Sequence, residues 1–68
     1  MNWKYDNDSG TYLCGDKSGS GCGVWKEAEG WTGNASYGFD IENVGYYRTM
    51  NEACLACEQK LCEMKNNN

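Results

Sequence analysis

Histidine is absent from this chain, which removes the commonest general base and the commonest neutral metal ligand. No apolar run is long enough to span a bilayer, so no membrane partner is expected. The opening residues MNWKYDND lack the apolar core of a signal peptide, which favours a cytoplasmic site of action over secretion. Cations are scarce too, with six Lys and Arg against ten Asp and Glu and a net charge of −4 at pH 7. Non-specific binding to nucleic acid needs a basic surface, so a basic protein is expected as partner rather than nucleic acid. No pair of carboxylates is set in an apolar stretch, so no catalytic residue is assigned. Asp40 and Glu42 read instead as the wet face of a strand.

What the chain has in excess is sulfur and aromatic rings. Five cysteines in 68 residues leave at least one thiol free, intermolecular or metal-bound. A single domain over residues 1–65 with a frayed tail at 66–68 is the organisation this length allows. A chain so short buries only about 60% of the surface its unfolded form exposes, and such domains often lean on disulfides, a metal or a partner subunit.

The clearest element is a helix over about residues 49–64. Met50, Cys54, Cys57, Leu61 and Met64 recur at three- and four-residue steps, with Ala53 beside them, and form one apolar stripe. Thr49 and Glu52 have capping-box spacing. Glu52 near the start and Lys60 and Lys65 near the end suit the helix dipole.

Upstream the chain reads as strands. Trp3–Tyr5 and Tyr12–Cys14 flank the turn cluster Asp6-Asn7-Asp8-Ser9-Gly10, a hairpin signature. The Asp6-x-Asp8-x-Gly10 spacing is also that of a calcium loop's opening, but its glycine is one position early and Lys17 stands where a carboxylate is needed. Residues 15–23 read as a Gly/Ser loop carrying Cys22, and Val24–Ala28 as a strand followed by a turn over residues 30–34. Tyr37, Phe39 and Ile41 alternate with Gly38, Asp40 and Glu42, the pattern of a half-buried strand. Glu42-Asn43 reads as another turn. The sum is an α+β fold, a three- or four-stranded antiparallel sheet packed by one C-terminal helix, with Phe39 under the helix.

Three sets of residues could carry function. Four thiolates from Cys14, Cys22, Cys54 and Cys57 would satisfy tetrahedral zinc, but the separation of Cys14 from Cys22 is long for a knuckle, so no metal or other cofactor is expected. Buried thiols or disulfides tying hairpin to helix fit the same residues. The Cys54-x-x-Cys57 pair lies too far beyond the Thr49 cap to be a redox centre activated by the helix dipole. Trp31, Tyr37, Tyr46 and Tyr47 sit near predicted turns and are candidates for protein contact. Leu55 and Cys62, seven apart and off the main stripe, are either ordinary exposed side chains or a strip for homodimer formation.

From Gly23 to Leu61 the order is a Gly-x-Trp strand, a turn, a Tyr37-Gly38-Phe39 strand, then Tyr47-x-Thr49-x-x-Glu52-Ala53 opening a helix. This resembles the three-strand-plus-helix architecture of AP2-type and integrase arm-type DNA-binding domains. The resemblance implies the architecture. Members of those families read DNA with arginine and lysine on the exposed sheet face, whereas here Lys26 and Arg48 are nearly the only cations, among Glu27, Glu29, Asp40 and Glu42. In size and charge the chain looks like small phage-encoded inhibitors. A non-enzymatic, acidic module that binds and blocks another macromolecule is therefore the expected function. A secreted disulfide-stabilised toxin, pheromone or effector, and a small zinc module, are the alternatives.

Overall fold

The computed structural model describes residues 3–15 and 19–66. Among these, five strands run β1 (Lys4–Asp6), β2 (Thr11–Gly15), β3 (Ser20–Glu27), β4 (Gly30–Tyr37) and β5 (Asp40–Tyr47), and one helix, α1, spans Met50–Asn66. The strands form one antiparallel sheet in sequence order, β1-β2-β3-β4-β5. Each connection is therefore a hairpin, and α1 closes over one face of the meander. The α+β architecture with a C-terminal helix agrees with the sequence reading, and the sheet has five strands rather than three or four. The helix runs through Asn66, two residues past the end expected from the sequence. Asn67 and Asn68 lie outside the described residues.

The first hairpin forms for the reason its sequence suggests. Asp6 Oδ1 accepts from the Asp8 amide at 3.3 Å, Asp6 Oδ2 accepts from Ser9 Oγ at 2.8 Å, and the Gly10 amide donates to the Asp6 carbonyl at 2.9 Å. The aspartate thus closes the turn upon itself, and Tyr5 lands opposite Tyr12.

Three boundaries differ from the sequence reading. The Gly/Ser stretch is not all loop: β3 starts at Ser20, so Cys22 and Gly23 are strand residues, while residues 16–18 lie outside the described part. The turn expected at 30–34 falls earlier, at Ala28-Glu29, with Gly30 and Trp31 already in β4. The predicted strand through Phe39 is instead the tip of a hairpin. Gly38 takes φ 65° at the first position of a two-residue turn, the place where a type II′ turn demands glycine. Tyr37 pairs with Asp40, and Phe39 projects from the tip fully exposed. It is not under the helix.

Glu42-Asn43 is not a turn either. The β4–β5 register shifts between Thr32 and Asn34, and Asn43 stitches this irregularity. Its Nδ2 donates to the Gly33 carbonyl at 2.9 Å and its Oδ1 accepts from the Gly45 amide at 2.8 Å. The turn-forming side chain satisfies a β-bulge inside one continuous strand.

The core lies between α1 and the inner sheet face. Ala53, Cys54, Cys57, Leu61 and Met64 from the helix meet Cys22 and Val24 of β3 and Ala35 of β4, all buried. Small side chains dominate, so helix and sheet approach closely. At Gly33 a Cβ would sit 2.8 Å from Cys57 Sγ, closer than two such atoms can pack. Thr49 caps α1: the Glu52 amide donates to Thr49 Oγ1 at 3.2 Å, and that hydroxyl donates to Glu52 Oε1 at 3.0 Å. Trp3 Nε1 donates to Glu58 Oε2 at 2.8 Å and ties the start of β1 to the helix.

Candidate functional site

The meander assigns every side chain to one of two faces, because opposed residues share a face and neighbours along a strand alternate. Cys22, Val24, Trp31, Ala35, Tyr37 and Tyr47 point toward the helix side. Trp25, Glu27, Thr32, Ile41 and Tyr46 point away from it. Among the described residues nothing packs on this second, open face.

One rung of the open face is organised around a carboxylate. Trp25 pairs with Thr32 across β3–β4, and Thr32 pairs with Tyr46 across β4–β5. A small residue therefore separates two aromatic ones. Thr32 is held low in the sheet by donating to the Gly45 carbonyl at 2.6 Å. Glu27 reaches both rings, accepting from Trp25 Nε1 on Oε2 at 2.6 Å and from the Tyr46 hydroxyl on Oε1 at 2.9 Å. These two donors, Trp25 first, hold the Glu27 carboxyl below its ordinary range. The same bond to Glu27 raises the Tyr46 phenol, and the negative charge of Glu29 adds to the shift. At neutral pH the cluster is an anion fixed between two aromatic rings, with a second anion close by. Tyr46 remains 51% exposed beside it; Leu13 and Ile41, 45% and 68% exposed, share the same face, with Ile41 opposite Ser36 toward the other end of the strands.

Of the four aromatic residues predicted to touch a partner, only Tyr46 is on the open face. Trp31, Tyr37 and Tyr47 are half-buried and pack against the core from the helix side. Trp31 stands opposite Tyr47 and in tilted ring contact with Tyr12, 6.3 Å between centroids. Their aromatic mass goes into widening a thin core. Trp25 and Glu27 were missed by the sequence reading, although their spacing of two on a predicted strand already puts them on one face. Their meeting with Tyr46 could not be read, since it depends on two hairpin registers.

Leu55 and Cys62 both face outward on α1. Leu55 lines an open groove of about 330 Å³ with Trp3, Met50, Asn51, Cys54 and Glu58. Cys62 Sγ accepts from Asn66 Nδ2 at 3.7 Å.

All five cysteines are free thiols. Four of them converge on the inner face: Cys14 opposite Cys22 in the β2–β3 pair, and Cys54 and Cys57 above them on α1. Among the described residues, no three or more metal-binding side chains are drawn into a set that could hold an ion. Cys57 Sγ donates instead toward the Gly23 carbonyl at 3.9 Å, and Cys22 Sγ toward the Cys57 carbonyl at 3.4 Å. Burial pushes the Cys57 thiol up to about 12 and the Cys22 thiol up to about 11. Burial also raises Cys54, with Glu58 and Cys14 adding to it. Cys54 and Cys57 pack in the core as small apolar side chains.

Comparison with protein families, with curated proteins and with solved structures finds no match to this chain.

Proposed function

We propose that this chain is a non-enzymatic protein-binding module that blocks a partner macromolecule by laying its open sheet face against it. The partner contributes a basic side chain that enters between Trp25 and Tyr46. The observation that carries this reading is Glu27, anionic and hydrogen-bonded to both rings on an uncovered face. A carboxylate accepting two bonds keeps lone pairs for a guanidinium or ammonium donor. The ordering of both aromatic side chains is completed before the partner arrives, which lowers the cost of association. The net charge of −4 steers a basic surface toward the module. Leu13 and Ile41 supply apolar contact elsewhere on the same open face.

The test is capture from a lysate of the source organism by the wild-type chain and by Glu27→Gln and Tyr46→Ala variants, with a photo-reactive residue at position 46 in a parallel sample. Reduced capture by both variants is expected, with crosslinks on partner segments bearing arginine or lysine. Undiminished capture by folded variants would overturn the reading. So would self-association of the wild-type chain abolished by Tyr46→Ala, which would assign the face to a second copy.

A further inference from the structure

The β2–β3 pair carries a second feature, away from the Trp25–Glu27–Tyr46 rung. Cys14 of β2 and Cys22 of β3 are direct partners in the antiparallel register. Directly opposed residues in such a pair have Cα atoms about 4.5–5.5 Å apart, inside the roughly 4.4–6.8 Å that a disulfide spans. No strand has to slide for the two sulfurs to meet. Cys14 is half-buried and lines an open groove of about 550 Å³ with Lys4, Tyr5, Asp6, Leu13 and Gly15. Cys22 is buried behind it. One thiol is thus open to a small reagent and its neighbour is sheltered, the arrangement of an attacking and a resolving cysteine.

We infer that Cys14 and Cys22 are a thiol–disulfide exchange site, forming a cross-strand disulfide at the expense of a small-molecule disulfide such as oxidised glutathione. The Cys14 thiolate attacks one sulfur of the reagent, whose S–S bond breaks and releases one glutathione thiolate. The Cys22 thiol, giving its proton to solvent, then attacks the Cys14 sulfur and expels the second glutathione. Two protein thiols are oxidised and one glutathione disulfide is reduced to two glutathione thiols. Cys57 takes no part. It is wholly buried over Gly33 with its sulfur directed at the Gly23 carbonyl. The product bond joins the N-terminal hairpin covalently to the centre of the sheet.

The experiment uses the full chain carrying Cys62→Ser, so that the exposed helix thiol cannot couple two molecules. Native protein is treated with oxidised glutathione, quenched in acid, alkylated and mapped by mass spectrometry. The expected product has lost two hydrogens and yields a peptide pair linked through Cys14 and Cys22, with Cys54 and Cys57 alkylated after unfolding. Adding Cys14→Ser should abolish the link, whereas adding Cys54→Ala should leave its yield within about twofold. A link from Cys14 to Cys54, a stable glutathione adduct on Cys14, or the same loss of hydrogens in the Cys14→Ser variant would each overturn the assignment. Circular dichroism of each variant shows that the sheet and helix are intact before treatment.

Discussion

Glu27 and the buried thiols show how far one residue's surroundings set its chemistry. Glu27 is held ionised by neighbouring donors, while Cys22 and Cys57 are held protonated by loss of water. The thiols give a stability prediction with a definite sign. In the unfolded chain they ionise near 9.0, and in the fold only near 11 and 12. Above pH 9 the unfolded state gives up protons that the folded state keeps, so stability falls as pH rises, by about 1 kcal/mol per pH unit for each thiol. The loss for Cys22 is complete near 11 and for Cys57 near 12. Urea melts at about pH 8 and about pH 10 should show this decline, and Cys57→Ala should make it shallower. A pH-independent midpoint would refute the burial of these thiols.

At the scale of elements, α1 was legible in the sequence almost to its ends. The stripe of Met50, Ala53, Cys54, Cys57, Leu61 and Met64 is the face that packs, and Thr49 caps as its spacing with Glu52 requires. Thr49→Ala should therefore cost about 1 kcal/mol in a denaturant melt. The strands were less legible because glycine and asparagine carry more than one meaning. Gly38 reads as a wet strand position by alternation but serves as the turn that inverts the chain, which exposes Phe39. Asn43 reads as a turn and instead repairs a bulge. Gly33 reads as part of a turn over residues 30–34, yet it lies inside β4 and the helix rests on it. A methyl group there meets the Gly23 carbonyl oxygen of β3 first, and then Cys57 and Val24, so Gly33→Ala should destabilise the fold by about 1–3 kcal/mol through overpacking. A melt unchanged from wild type would contradict the close approach of both the Gly23 carbonyl and Cys57 to Gly33.

For the whole molecule, a single sheet covered on one side makes stability uneven. β3 and β4 lie under the helix between two neighbours each, whereas β1 is a three-residue edge strand anchored to α1 by the Trp3–Glu58 bond. Amide exchange should therefore be fastest in β1 and slowest in β3 and β4. Trp3→Phe, which keeps the ring and removes the donor, should accelerate exchange in β1 while leaving β4 unchanged. Equal protection across the five strands would contradict this layering. The same one-sidedness leaves the Trp25–Glu27–Tyr46 rung uncovered, and that is the basis of the proposed docking face.

The sequence alone determined the helix, its cap, its buried stripe and the first turn, because each rests on residues within a few positions of one another. The tertiary structure decided which aromatic residues face the core and which face outward. Strand parity is reset at every two-residue turn and every bulge, so one misplaced turn exchanges the faces of all that follows. Tyr46 and Tyr47 are chemically alike and adjacent, and only the registers of β4 and β5 put one beside Glu27 and the other beneath the helix side.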